Sequence, residues 1–123
     1  MSGELILVVE DNARNLKLVR DLLRFKGFRT IEADTAERGL ALASEHRPRL
    51  ILMDVQLPDM DGAVALGRLK ADPQTASIPV VALTAFAMKE DRERFLVAGF
   101  NGYLPKPIDI KTFSDQVRAF FVA

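Results

Sequence analysis

Three carboxylates, one hydroxyl and one ammonium stand at or just beyond the ends of apolar runs in this sequence. They belong to Glu10, Asp11, Asp54, Thr84 and Lys106. In an open parallel sheet the ligand site lies outside the carboxyl ends of the strands, where the strand order reverses. If the runs form such a sheet, these side chains converge on one mouth of the fold. Hard carboxylate oxygens suit Mg²⁺, and a lysine beside them suits a phosphoryl group.

The acidic cluster also has a simpler interpretation, because Asp and Asn commonly cap helices. Asp11 or Asn12 taken alone fits that role. Three carboxylates at one point are different, because like charges raise one another's pKa and destabilise the fold unless a cation offsets them. The sole histidine, His46, ends the second predicted helix and there is no cysteine, which disfavours zinc. The pattern therefore favours a Mg²⁺ site over capping alone.

Lys106 lies between two prolines, which restrict the backbone on both sides. Most lysines are solvated, but this setting is typical of a side chain that is held in place. We expect its ammonium to pair with Asp54 at rest and with a phosphoryl oxygen after transfer. The peptide bond after Lys106 is a candidate cis bond. Thr84 is an ordinary strand residue by itself, and its position would let its hydroxyl donate to a phosphoryl oxygen.

Five apolar runs alternate with five helical patterns. The predicted strands are Leu5–Val9, Phe28–Ala33, Leu50–Asp54, Pro79–Thr84 and about Gly102–Leu104. The predicted helices are roughly Ala13–Lys26, Ala36–His46, Gly62–Ala71, Lys89–Ala98 and Asp109–Phe121. Near-continuous apolar strands separated by helices indicate an α/β fold with a parallel sheet. The strand order 2-1-3-4-5 is favoured because it places the first and third strands, and so the three carboxylates, side by side.

The helix boundaries and faces give further expectations. Glycines at 27 and 99 follow the first and fourth helices, and Asp61 and Asp109 are predicted N-caps of the third and fifth. The apolar residues of the last helix are predicted core: Ile110, Phe113, Val117, Phe120 and Phe121. Those of the first helix spread over roughly 180°, wider than core burial needs. Either that helix is unusually well buried, or one margin with Leu18 and Phe25 stays exposed for a partner.

Bulk composition excludes several function classes. The chain has 123 residues, enough for one domain with a real core. Lys plus Arg (17) equals Asp plus Glu (17), so no global field would attract nucleic acid or anionic membrane. Without cysteine there are no disulfides or thiolate sites. No signal peptide and no apolar stretch of transmembrane length is present. We therefore expect a cytoplasmic protein without nucleic-acid or membrane partners.

Together these segments resemble the receiver domain of bacterial two-component response regulators. The matching segments are Glu10–Asp11–Asn12, Met53–Asp54, Leu57–Pro58, Met60–Asp61–Gly62, Thr84–Ala85 and Tyr103 followed by Lys106–Pro107. The stretch 85–89 (AFAMK), with Lys106–Pro107–Ile108, is most similar to the DivK type and to receivers of hybrid kinases. The order and spacing match over nearly the whole chain, which is far more specific than any single motif. The resemblance implies a flavodoxin-like, CheY-like fold.

The resemblance also implies roles at the site. Asp54 would accept a phosphoryl group from a histidine kinase or a histidine phosphotransfer protein. Asp11 and Asp54 would bind Mg²⁺ directly together with the backbone carbonyl of Gln56, and Glu10 would assist through water. The chain would then be a phosphoacceptor signalling protein and not an enzyme.

Further family positions concern the phosphorylated state. Thr84 and Lys106 would contact the phosphoryl group, and Tyr103 would swing inward when Thr84 is drawn to the phosphate. The two positions that tune phosphoryl lifetime in the family hold Gln56 and Phe86 here. The Gln56 side chain could orient a water, whereas Phe86 cannot polarise one, so we expect comparatively slow hydrolysis.

Residues 1–123 are predicted to form one receiver domain without an output domain. Its signal would leave through the face of the fourth helix, fifth strand and fifth helix, or through the first helix, toward a downstream protein. The alternative is a receiver domain excised from a larger hybrid kinase or regulator.

Two other functions share part of the pattern. A flavin mononucleotide binder would share the fold, but it needs a hydroxyl- and glycine-rich phosphate loop after the first strand, where Glu10 and Asp11 would repel a phosphate. A phosphatase with an aspartyl nucleophile typically carries a second aspartate two residues after the first, and that position is Gln56.

Overall fold

Five strands and five helices alternate along the chain in the computed structural model, which describes residues 3–85 and 89–121. The strands are β1 Leu5–Val9, β2 Arg29–Ala33, β3 Leu50–Asp54, β4 Val80–Thr84 and β5 Gly102–Pro105. The helices are α1 Ala13–Phe25, α2 Ala36–His46, α3 Gly62–Ala71, α4 Lys89–Ala98 and α5 Phe113–Ala119. All strand pairs are parallel, in the order β2-β1-β3-β4-β5. The predicted fold class and strand order are confirmed.

The sheet separates two apolar cores, which explains why its strands read as continuous apolar runs. In β1, Leu7 and Val9 belong to the core shared with α2, α3 and α4, while Ile6 and Val8 belong to the core shared with α1 and α5. A strand that is covered on both faces has no solvent-facing side, so apolar and polar residues do not alternate along it. Strands β3 and β4 are buried at every position. This burial fixes the strand ends that position the candidate site.

Most boundary signals are confirmed. Gly27 and Gly99 adopt φ values of 94° and 113°, the left-handed region that glycine enters without strain after a helix. The Asp61 carboxylate caps α3 by accepting a hydrogen bond from the Ala63 amide at 2.7 Å. The C-cap residue of helix α2 is Arg47, which takes a left-handed φ of 45° that no sequence signal predicted.

The last helix is shorter than predicted. It begins at Phe113 and its N-cap residue is Thr112, so the prediction of Asp109 as N-cap is wrong. The Asp109 carboxylate accepts a hydrogen bond from the Lys111 amide at 2.9 Å and forms a turn ahead of the helix, as aspartate often does. Because Ile110 lies in that turn, it is 64% exposed and the prediction that it is a core residue is also wrong.

The margin of α1 in question is exposed at one of its two residues, and binding of a partner there stays a prediction. Val19 and Leu23 are fully buried against the sheet, whereas Phe25 is 84% exposed and Leu18 is half-buried. Among the described residues, no helix is long and apolar enough to cross a membrane.

Candidate functional site

The five predicted site residues meet at the carboxyl edge of the sheet. Strand β1 pairs with β3, which places Glu10 and Asp11 beside Asp54 at the end of β3. Strand β4 pairs with β3 on one side and β5 on the other, so Thr84 and Lys106 complete the same edge. The convergence follows from the parallel order alone, because each residue ends or follows a strand.

Lys106 links two of the carboxylates. Its Nζ lies 2.8 Å from Asp54 Oδ2, the pairing expected from the sequence, and 2.7 Å from Glu10 Oε1, a contact that the sequence did not predict. Burial alone lowers the pKa of Lys106, but hydrogen bonding of its ammonium to Asp54 and Glu10 outweighs burial, and the pKa lies above its usual value. The side chain is therefore a fixed cation at this edge. The peptide bond that follows Lys106 is cis, as predicted.

Glu10 is fully buried, although it is ionisable. Burial raises its pKa first, and hydrogen bonding with Asp54 raises it further, whereas Lys106 and the Asn12 amide lower it. Its Oε2 accepts a hydrogen bond from the Asn12 amide at 3.1 Å. Its Oε1 makes the ion pair with Lys106 but no hydrogen bond of good geometry within the described residues. Glu10 is thus an incompletely compensated buried carboxylate, which a second cation would stabilise.

The Asp54 carboxylate is held through both of its oxygens. Oδ1 accepts a hydrogen bond from the Gln56 amide at 2.9 Å, and Oδ2 accepts one from Lys106. The residue is only 5% exposed, and Thr84 on the neighbouring strand is 1% exposed. Asp54 therefore presents a preorganised carboxylate at the mouth of an otherwise apolar sheet.

A metal ion fits the donor set at this edge. Glu10, Asp11 and Asp54 each offer a carboxylate oxygen, and these three atoms lie within 4.8 Å of one another. Asp11 is exposed and is not the cap of α1, because Asn12 is the N-cap and its side chain accepts from two amides of the first turn at 3.0 and 3.1 Å. Capping therefore does not explain Asp11. A set of hard oxygens with one exposed member suits Mg²⁺, which keeps several waters.

The remaining predicted residues lie around this centre. Tyr103 is half-buried on β5, where it pairs with Ala82, two residues before Thr84. Gln56 follows Asp54 by two residues and is exposed. Phe86, the other predicted lifetime position, lies outside the described residues, so its role stays a prediction.

One structural contact near the site was not predicted from the sequence. The Asp59 carboxylate accepts hydrogen bonds from the amides of Ala36 at 2.8 Å and Glu37 at 3.0 Å, at the N-terminus of α2. The hydrogen bond from Ala36, followed by that from Glu37, lowers the pKa of Asp59. A helix N-terminus favours a carboxylate because its free amides and its dipole are positive. No local motif signals this contact, because Asp59 is 23 residues from Ala36 and 22 residues from Glu37 in the chain. It ties the loop after β3 to α2.

Replacing Asp59 with asparagine should therefore destabilise the protein at neutral pH. A lowered folded-state pKa means that the contribution is present above the unfolded pKa, about 3.9, and is lost as the pH falls through the folded-state value. Urea unfolding from pH 7 down to pH 3 should show the wild type and Asp59→Asn converging in stability at the acidic end. Asp109→Asn removes the same charge away from α2 and serves as the control. A difference that stays constant over the whole pH range would contradict the assignment.

Comparison with known proteins extends over nearly the whole chain. A family model described as the response regulator receiver domain matches residues 6–118. The chain is 44% identical over 115 residues to the polar-differentiation response regulator DivK of Brucella anthropi, covering 94% of both proteins. It is 35% identical, with a TM-score of 0.86, to the receiver domain of a sensor histidine kinase from Pseudomonas aeruginosa PAO1, covering 96% of this chain and 97% of that one. That receiver was solved with a magnesium ion coordinated in its active-site cleft. The chemotaxis response regulator CheY4 of Vibrio cholerae, at 24% identity over 96% of this chain and 98% of that one with a TM-score of 0.90, shares the fold.

Proposed function

Because this chain belongs to the response regulator receiver domain family of two-component signalling, we propose that it accepts a phosphoryl group on Asp54 and signals through altered protein contacts. One observation carries the proposal. The Asp54 carboxylate is nearly buried, held by the Gln56 amide and the Lys106 ammonium, and grouped with two further carboxylates. This arrangement supports the proposal, because a phosphoacceptor carboxylate needs a lysine ammonium and a cation-binding group of carboxylates beside it.

The transfer step follows from these positions. An oxygen of Asp54 attacks the phosphorus of a phosphohistidine on the donor kinase or phosphotransfer protein. The P–N bond breaks, its electron pair stays on the imidazole, and an acyl phosphate forms on Asp54. Negative charge on the three equatorial oxygens must be neutralised during the transfer. Lys106 exchanges its contact with Asp54 for one phosphoryl oxygen, and the Thr84 hydroxyl donates to another.

Mg²⁺ would be held by Asp11, Asp54 and the backbone carbonyl of Gln56, and it supplies further positive charge to the phosphoryl oxygens when bound. Asp11 is exposed and free of a capping role, which supports direct coordination. Glu10 is fully buried, its Oε2 accepts from the Asn12 amide, and its Oε1 is ion-paired with Lys106 but makes no hydrogen bond of good geometry within the described residues. Those contacts favour an indirect contribution of Glu10 through a water.

The rival functions lose support from the same geometry. The end of β1 carries Glu10 and Asp11 where a flavin phosphate would have to bind, and their carboxylates would repel it. Position 56 holds a glutamine, whose side chain cannot serve as the second acid of an aspartyl phosphatase. A receiver labelled on Asp54 should also fail to turn over phosphomonoesters.

The output is proposed to run through Thr84 and Tyr103. When Thr84 is drawn toward the phosphoryl group, Tyr103 moves inward and changes the surface of α4, β5 and α5. A ligand shifts such an equilibrium only by its differential affinity for the two states. A histidine kinase or another regulator that prefers the phosphorylated surface therefore binds more tightly after transfer. The exposed margin of α1 at Phe25 is a second candidate contact.

Thr84→Ala should blunt this response while leaving Asp54 labelling largely intact. Phosphotransfer profiling against purified histidine kinases would first identify the cognate kinase. Its affinity for the receiver should then be measured with and without beryllofluoride, a phosphoryl mimic, in the wild type and in Thr84→Ala. Thr75→Ala is the matched control, since Thr75 is also buried but donates its hydroxyl to the Leu69 carbonyl at 2.7 Å. Equal kinase affinity with and without beryllofluoride in the wild type would overturn the proposed output.

A further inference from the structure

The guanidinium of Arg92 lies near the ring of Tyr103, the proposed switch residue. Cζ of Arg92, on α4, lies 5.4 Å from the centroid of the Tyr103 ring. This distance is within the range of about 6 Å over which an arginine is attracted to an aromatic face. Tyr103 is half-buried, packs against the core between the sheet and α4, and lies on the strand next to Thr84. No motif in the sequence marks Arg92, which reads as one of several charged residues on a solvated helix.

We propose that Arg92 is a positioning residue that holds Tyr103 in the resting arrangement and so sets the threshold of the switch. The inference rests on the proposed function, in which Tyr103 moves inward toward Thr84. In this structure Lys106 is paired with Asp54, the pairing expected before transfer, and Arg92 lies over Tyr103 at the same time. An inward movement takes the ring away from the exposed side chain of α4. The contact is then lost, and its free energy opposes the movement.

A neighbouring contact shows what a purely structural role looks like. Arg94, on the same helix, lies 5.6 Å from the centroid of the Phe95 ring. Phe95 is buried in the core, and Arg94 is also ion-paired with Asp91 at 2.9 Å. That ring has no proposed second position, so loss of Arg94 should not alter a switching equilibrium. Arg94→Gln is therefore a matched control for Arg92→Gln, with the same helix, the same charge change and the same kind of contact.

The expected effect is modest and measurable. Losing a cation–π contact at an exposed site should shift the equilibrium between the two Tyr103 positions by about twofold to fivefold. Since the resting state dominates before activation, the beryllofluoride concentration needed for half of the transition should fall by the same factor. Arg92→Lys keeps a cation but loses the planar guanidinium. The beryllofluoride concentration at its midpoint should lie between those of the wild type and Arg92→Gln.

The composition of the chain makes the readout specific. Tyr103 is the one tyrosine and there is no tryptophan, so intrinsic fluorescence and the ring resonances of ¹³C-labelled tyrosine report on this residue alone. Each protein should be titrated with beryllofluoride at fixed Mg²⁺ while both signals are recorded. Before titration, the Tyr103 ring resonances of Arg92→Gln should already be displaced from their wild-type positions. The displacement should be toward the positions that the same variant reaches at saturating beryllofluoride. In Arg94→Gln, both the starting position and the midpoint should match the wild type.

Two results would overturn the inference while leaving the proposed function standing. One is a wild-type midpoint in Arg92→Gln, and the other is an equal shift in Arg94→Gln. If wild-type Tyr103 gives no response to saturating beryllofluoride although Asp54 is labelled by acetyl phosphate, the proposed switch fails and the inference fails with it. If Asp54 is not labelled at all, the proposed phosphoacceptor itself is wrong. The wild-type measurements are made first, so these failures are told apart before any variant is compared.

Discussion

Incubation with acetyl phosphate and Mg²⁺ should add one phosphoryl group to the wild-type chain and none to Asp54→Asn. In the proposed step a carboxylate oxygen of Asp54 attacks the phosphorus and acetate leaves, so the product would be an acyl phosphate that asparagine cannot form. The Lys106 ammonium, 2.8 Å from Asp54 Oδ2, and a Mg²⁺ ion held by the neighbouring carboxylates would provide the positive charge that phosphoryl transfer requires. Intact-mass spectrometry measures the labelled fraction directly, and we expect complete loss in the variant.

Two controls separate this assignment from adventitious labelling. Excess EDTA should suppress wild-type labelling, because the equatorial oxygens would lose the cation that stabilises their charge. Asp59→Asn removes a carboxylate from the loop that follows the same strand, yet its side chain contacts α2 and not the site, so it should label like the wild type. Equal labelling of Asp54→Asn, or labelling that EDTA does not diminish, would show that the phosphoacceptor lies elsewhere.

The fold was predictable because its sheet is buried on both faces. A strand with no solvent side, such as Leu50–Asp54, produces a continuous apolar run with sharp ends. The remaining boundary errors have local causes. Helical periodicity predicts a helix from Asp109, but the Asp109 carboxylate accepts a hydrogen bond from the Lys111 amide in a turn, and the helix begins only at Phe113. The apolar pattern could not reveal this competition, because the side chain bonds to the backbone and not to the core.

The site was predictable in its membership but not in its internal contacts. Glu10, Asp54 and Lys106 converge because each ends or follows a parallel strand, which the strand order alone ensures. That Lys106 also bonds Glu10 depends on how deeply Glu10 is buried, and sequence spacing carries no information about depth. The Arg92 contact with Tyr103 is likewise set by the docking of α4 on the sheet. Side-chain contacts between elements that are distant in the sequence could therefore be identified only from the structure.

Asp11→Asn should stabilise the metal-free protein by on the order of 1 kcal/mol near neutral pH, the repulsion of two like charges about 4 Å apart in a water-rich setting. Three carboxylate oxygens lie within 4.8 Å of one another, and Lys106 contacts two of these residues, Glu10 and Asp54. Removing the Asp11 charge relieves its repulsion with Glu10 and Asp54 wherever these carboxylates are ionised. The gain should therefore be present at pH 7 and disappear in acid, where carboxylates are neutral.

Urea unfolding in EDTA, repeated with saturating Mg²⁺, measures both consequences of the charge cluster. Mg²⁺ stabilises the folded state by binding it. The free energy of unfolding of the wild type should therefore rise more on addition of Mg²⁺ than that of Asp11→Asn, which lacks one of the three carboxylates. Asn12→Ala is the informative control, because Asn12 is the residue that caps α1 and its loss should cost about 1 kcal/mol with or without metal. If Asp11→Asn were destabilised in EDTA, as Asn12→Ala is expected to be, Asp11 would stabilise the N-terminus of α1. The three carboxylates would then not repel one another enough to favour a bound cation.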